Sequence, residues 1–153
     1  MPVVRHYDSE NNRPSDSVSI LIVEDQELLR IGLKCALHKM KNVHILGQAS
    51  DGPSAVENAL DLKPDLVLMD IGLPGFDGLE AMRRIKAVFK CRILIFTSHA
   101  EEATIREAFN SGADGYCLKG ASITKLNCAI SKVAGGLIWI DDLISEEMLR
   151  QVV

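Results

Sequence analysis

Five short apolar runs recur along this chain, and a helical pattern separates each from the next. The runs are VSILIV at 18–23, VHILGQAS at 43–50, DLVLMD at 65–70, RILIFTS at 92–98 and DGYCLK at 114–119. Between them lie stretches whose apolar residues share one helical face, such as Leu29, Leu33, Ala36, Leu37 and Met40. The first, third and fourth runs are apolar almost throughout, as strands covered on both faces must be. Alternation of this kind builds a parallel sheet with helices on each side. Local signals mark the helix ends. Pro53 suits a first helical position, Asp77 and Glu80 form a capping-box-like pair, and Ser122 precedes the last helix. Gly112 and the Gly135-Gly136 pair supply stops.

Two doubly wound strand orders are common for such a pattern. The dinucleotide-binding order wants a glycine-rich turn after the first strand, and here that turn reads VEDQEL. The chain therefore fits the flavodoxin-like α/β class, a five-stranded parallel sheet in the order 2-1-3-4-5. Its 153 residues are enough for one domain with a real core. Residues 1–17 are polar and read as a flexible tail, residues 18–134 as the domain, and residues 135–153 as a linker segment.

In an open parallel sheet, ligands gather outside the carboxyl ends of the strands. Strand one delivers Glu24 and Asp25 there, strand three Asp70, strand four Thr97 and Ser98, and strand five Lys119. In the order 2-1-3-4-5 these strands are consecutive neighbours, so the groups converge on one crevice. Three crowded carboxylates repel one another and raise a pKa unless something compensates them. A hard divalent cation does so: Mg²⁺ takes oxygen ligands and usually one or two protein carboxylates. Asp25 and Asp70 offer those two, and a loop carbonyl near Gly72 a third. Lys119 adds a positive charge and Thr97 a hydroxyl, so Asp70 is surrounded by groups suited to phosphoryl oxygens. Taken singly, each element has an ordinary structural reading as a helix cap, a turn residue or a solvated lysine. Their joint occurrence on the right strands favours Asp70 as a nucleophile toward a phosphoryl group.

At this point the sequence resembles the receiver domain of two-component response regulators. The resemblance covers residues 18 to about 134 and rests on IVED at 22–25, LMDIGLPGFDG at 68–78, IFTS at 95–98 and GADGYCLK at 112–119. It implies that Asp70 is the phosphoacceptor. It implies that Asp25, Asp70 and the Gly72 carbonyl ligate Mg²⁺, with Glu24 acting through water. Thr97 is then the switch hydroxyl, Lys119 the phosphate-contacting lysine, and Tyr116 the aromatic that changes rotamer. Two departures stand out: the acidic pair is Glu-Asp, and Gly120 follows Lys119 where many receivers have proline.

GYCLKG and the later GGLIWIDDLISEEML are similar to the NarL-type branch, whose members carry a helix-turn-helix DNA-binding domain after such a linker. LIWIDDLISEEMLRQVV holds one arginine and four acids and is too short for that motif. No direct nucleic-acid binding is expected of these residues, in keeping with a net charge of −4. The resemblance implies a sensor histidine kinase as partner, and a homodimer through the first and last helices with Lys125 and Lys132 at its border. Leu126, Ile130 and Val133 are expected in the core. Cys35, Cys91, Cys117 and Cys128 lack C-x-x-C spacing and read as small buried hydrophobes of a reducing cytoplasm. No segment has the length of a signal peptide core or a membrane span, so membrane association is not expected. A stand-alone receiver acting by protein contact or phosphate shuttling remains an alternative. Among enzymes the rival is an aspartyl phosphatase, but that class wants a second acid two residues beyond the nucleophile, where Gly72 stands. A flavin-binding module shares the fold, yet the acidic crevice is poorly suited to a phosphate-bearing cofactor unless Mg²⁺ is present. The expectation is a signalling module and not an enzyme.

Overall fold

The computed structural model describes residues 17–144 and residue 150. The expected tail, apart from Ser17, and most of the last nine residues of the expected linker lie outside the described residues. The elements run β1 (Val18–Val23), α1 (Glu27–His38), β2 (Val43–Ala49), α2 (Gly52–Leu62), β3 (Leu66–Met69) and α3 (Gly78–Lys86). They continue with β4 (Arg92–Thr97), α4 (Glu102–Asn110), β5 (Gly115–Leu118), α5 (Ile123–Ala134) and β6 (Trp139–Ile140).

All pairings are parallel, and the sheet order is β2-β1-β3-β4-β5-β6. The expected order of the first five strands stands, and a short sixth strand extends it inside the segment expected as linker. Gly136, at φ +93°, turns the chain after α5 so that Trp139 and Ile140 can pair with Gly115 and Tyr116.

The strand period of two splits the core between the two faces. Leu21, Val23, Val67, Met69, Ile93, Ile95 and Tyr116 pack under α2, α3 and α4. Ile20, Ile22, Leu66, Leu68, Leu94, Phe96 and Cys117 pack under α1 and α5. Leu126, Ile130 and Val133 of α5 are buried as expected. Capping follows the sequence: Asp51, Asp77 and Ser122 each accept an amide hydrogen bond from Ser54, Glu80 and Lys125 respectively.

Two expectations about side chains need correction. Only Cys91 and Cys117 are buried, whereas Cys35 and Cys128 are exposed. Each sits two residues from a buried helical position, Leu33 or Leu37 in one case and Leu126 or Ile130 in the other. A two-residue step turns a side chain well away from the buried face of a helix. Lys125, expected as an exposed residue, is half-buried, paired with Asp142 and 3.5 Å from Asp141. Lys132 is exposed.

The loop between β3 and α3 depends on Gly78. A Cβ there would lie 2.0 Å from the Asp70 carbonyl oxygen, and the Gly78 amide donates to the Ile71 carbonyl at 2.8 Å. Close approach of backbone to backbone at this point anchors the turn that follows Asp70.

Candidate phosphoacceptor and metal site

β1 and β3 lie side by side, with Val23 opposite Met69. The Asp70 amide donates to the Val23 carbonyl at 3.1 Å, so both strands end together and present their acids at one edge. Glu24, Asp25 and Asp70 each offer a carboxylate oxygen within 4.8 Å of the others, a group that could hold a metal ion. The pair from β1 divides its exposure. Glu24 is 1% exposed, while Asp25 opens to solvent.

Lys119 crosses from the end of β5 to this cluster. Its Nζ lies 2.8 Å from Asp70 Oδ2 and 3.1 Å from Glu24 Oε2. Asp70 Oδ1 accepts the Ile71 amide at 2.8 Å, and Glu24 Oε1 accepts the Gln26 amide at 3.2 Å. Glu24 Oε2 has no hydrogen bond, for the lysine approaches it as an ion pair without hydrogen-bond alignment. A buried carboxylate oxygen in that condition is expensive unless a cation faces it.

Burial pushes the Glu24 carboxyl above the ordinary range, and the Asp70 charge pushes it further, against the pull of Lys119. Burial also pushes Asp70 upward, but the hydrogen bond and charge of Lys119, with help from Glu24 and Thr97, hold it below the ordinary range. Asp70 is thus the carboxylate kept ionised. Desolvation acts to lower Lys119, and the two carboxylates outweigh it, so the ammonium stays charged.

Thr97 is fully buried at the end of β4, and its Oγ1 accepts the His99 amide at 3.4 Å. Tyr116 is fully buried too, and its hydroxyl donates to the His99 carbonyl at 2.6 Å. It stands beside the crevice and does not line it, joined to Thr97 through His99. Burial holds its phenol well above the usual range, so it stays a donor. Gly72 is exposed, with no hydrogen bond to its carbonyl among the described residues. No peptide bond among the described residues is cis, so Gly120 follows Lys119 through a trans bond.

Sequence reasoning missed Arg30, whose guanidinium donates to the Glu24 carbonyl at 2.8 Å from the first turns of α1. It also missed Asp141, a fully buried carboxylate just past β6. One signal could have found Asp141: an apolar WI step followed at once by two acids repeats the strand-then-acid pattern of IVED and LMD.

An acid cluster with one lysine and one hydroxyl, at the carboxyl edge of a 2-1-3-4-5 sheet, is the arrangement of a signal receiver. The chain belongs to the response regulator receiver domain family, whose model matches residues 20–131. It is 35% identical over 132 residues to the response regulator UvrY of Escherichia coli, covering 86% of this chain and 61% of that protein. To the response regulator VraR of Staphylococcus aureus it is 33% identical over 121 residues, 78% of this chain and 58% of the other. The chain thus spans about 60% of the length of these curated relatives. A LuxR-family two-component regulator from Aurantimonas superposes with a TM-score of 0.82 at 31% identity, covering 88% of this chain and 97% of that one. The receiver domain of a NarL regulator from Mycobacterium tuberculosis gives 0.76 at 30% identity, covering 79% and 98%. The likeness is therefore to the NarL/LuxR group. No helix among the described residues is long and apolar enough to cross a membrane.

Proposed function

We propose that this protein is a phosphorylation-dependent switch that receives a phosphoryl group on Asp70 from a sensor histidine kinase or a small acyl phosphate. The observation that carries the reading is Asp70 itself: ionised, 2.8 Å from Lys119, and clustered with Glu24 and Asp25. Mg²⁺ fits the cluster, because Glu24, Asp25 and Asp70 bring carboxylate oxygens within 4.8 Å of one another while one ammonium, that of Lys119, pairs with two of these acids. Asp25, Asp70 and the Gly72 carbonyl would hold it, with Glu24 reached through water. Bound there, it would neutralise charge on the phosphoryl oxygens.

The residues of the chain supply the rest. An Asp70 oxygen attacks phosphorus in line as the bond from phosphorus to the donor's nitrogen or acyl oxygen breaks. Lys119 shifts from sharing two carboxylates to neutralising the phosphoryl oxygens, and Ile71 N–H holds the other Asp70 oxygen in place. Thr97 then turns its hydroxyl toward the new anion. That movement breaks its contact with the His99 amide and disturbs the carbonyl that Tyr116 holds, which biases the segment leading into α4. The chain acts as a signalling module, not as an enzyme, in the cytoplasm. Its output is self-association through α1 and α5 and control of transcription through a DNA-binding domain outside these 153 residues.

Incubation with acetyl phosphate and Mg²⁺, followed by intact mass measurement, tests the reading. Wild type gains one phosphoryl group and Asp70→Asn gains none. Equal gain in the two proteins overturns the assignment.

A further inference from the structure

Beyond the site already described, one buried carboxylate has no role in the reading above. Asp141 is fully buried where the chain leaves β6. The Trp139 amide donates to the Asp114 carbonyl and the Asp141 amide to the Tyr116 carbonyl, the rungs of a parallel ladder along the outer edge of β5. The next rung should join the Leu118 amide to the Asp141 carbonyl. That carbonyl is taken, since it accepts the Ile144 amide at 3.0 Å as the chain turns away. The side chain fills the vacant rung: Asp141 Oδ2 accepts the Leu118 amide at 3.0 Å. Its other oxygen accepts the Leu143 amide at 3.0 Å and lies 3.5 Å from Lys125 Nζ.

The residue after Leu118 is Lys119. On the inner edge of β5 the Lys119 amide donates to the Thr97 carbonyl at 2.9 Å. The end of β5 is therefore held from both sides, by β4 within and by Asp141 without. The Lys119 side chain then spans the crevice to Asp70.

We infer that Asp141 is a positioning residue for Lys119, through which the segment after α5 sets the geometry of the phosphoacceptor site. The inference rests on the receiver reading for its chemical consequence, but its structural part stands apart from that reading. Asp141 touches neither Asp70 nor the phosphoryl position; it acts by fixing the backbone from which Lys119 reaches. An edge strand with an unpaired final amide would fray from that end, and Lys119 lies at that end.

Four variants separate this role from plain stabilisation. Asp141→Ala loses every contact that the carboxylate accepts, from the Leu118 and Leu143 amides, the Cys117 thiol and Lys125. Asp141→Ser keeps a short acceptor for the Leu143 turn but falls short of the Leu118 amide, so it folds with the rung broken. Asp141→Asn keeps one acceptor oxygen, for the Leu118 amide, and gives up the one that serves Leu143 and Lys125. Asp142→Asn breaks the exposed ion pair with Lys125 and leaves the Leu118 rung in place. The first measurement is amide hydrogen exchange in the metal-free, unphosphorylated protein. Exchange at Leu118 and Lys119 should rise in Asp141→Ala and Asp141→Ser, and stay at the wild-type rate in Asp141→Asn and Asp142→Asn. The second is the rate of phosphoryl gain from acetyl phosphate with Mg²⁺. It is expected to fall about tenfold in Asp141→Ser and to recover in Asp141→Asn. Unchanged Lys119 exchange in Asp141→Ser overturns the positioning role, whatever happens in the phosphorylation assay. Increased exchange with an unchanged phosphorylation rate overturns the link to the site. A wild type that gains no phosphoryl mass defeats the receiver reading, while the exchange data still decide the positioning role.

Discussion

Asp141 apart, whose two oxygens both meet donors, the two ends of the sheet use aspartate in opposite ways. At the amino end, Asp65 and Asp114 are saturated. Asp65 accepts the Ser19 amide at 2.9 Å while its own amide donates to the Ser19 hydroxyl. Asp114 meets Lys86 at 2.6 Å, Arg92 at 3.4 Å and the Ile93 amide at 2.9 Å. At the carboxyl end, Glu24, Asp25 and Asp70 crowd together around the single ammonium of Lys119. The difference teaches what separates a structural carboxylate from a chemical one. A structural carboxylate has donors to match its oxygens, whereas a site keeps a deficit that a cation or an incoming group must fill.

Breaking the deficit should have the largest effect. Asp25→Ala removes an exposed carboxylate from the acidic end, and Mg²⁺ affinity should fall about a hundredfold. Titration of Mg²⁺ against Trp139 or tyrosine fluorescence reads this directly, and unchanged affinity would remove Asp25 from the ligand set. Removal of a saturated carboxylate should act on stability alone. Asp114→Ala strands Lys86 and the Ile93 amide, and should cost about 2 kcal/mol in denaturant unfolding. Its phosphorylation rate should match wild type, and a slowed rate would blur the contrast between the two ends.

The smallest effect has the opposite sign. Glu24 binds its proton more tightly in the folded protein than in the unfolded chain, because burial and the Asp70 charge disfavour its ionised form. Its contribution to stability therefore falls as pH rises above about 4.3, the ordinary glutamate value. Asp70 works the other way: held below the ordinary range, it contributes stability above about pH 3.9 that is lost as pH falls through its folded value. In Mg²⁺-free buffer at pH 7, Glu24→Gln should stabilise the protein, since the neutral amide escapes the burial and the Asp70 charge that disfavour the carboxylate. Thermal melts of both proteins at rising pH, starting near the ordinary glutamate value of about 4.3, would check the sign. A destabilised variant would mean that Lys119 needs Glu24 more than Glu24 suffers from Asp70.

Much of this was legible without coordinates. An unbroken apolar run such as LVLM can be satisfied only between two helical layers, so β3 and its neighbours follow from composition and spacing. Once the sheet is parallel, every strand points its last residues to the same edge, and Glu24, Asp25, Asp70, Thr97 and Lys119 must assemble there. Capping by Asp77 and Ser122 is a matter of three residues along the chain, and it too was readable.

What the tertiary structure alone decided are the contacts across long separations, whose strength depends on ångström distances and burial. The sequence places Glu24 and Asp25 side by side without saying which one is buried against Lys119. The fold buries Glu24 and leaves Asp25 to solvent. Tyr116 was legible as an aromatic of the fifth strand, but its burial and its bond to the His99 carbonyl depend on where the loop after β4 runs. The sixth strand and the rung supplied by Asp141 were hidden for the same reason. A two-residue strand has too few residues to show a period, and it exists only because β5 offers an open edge for it to join.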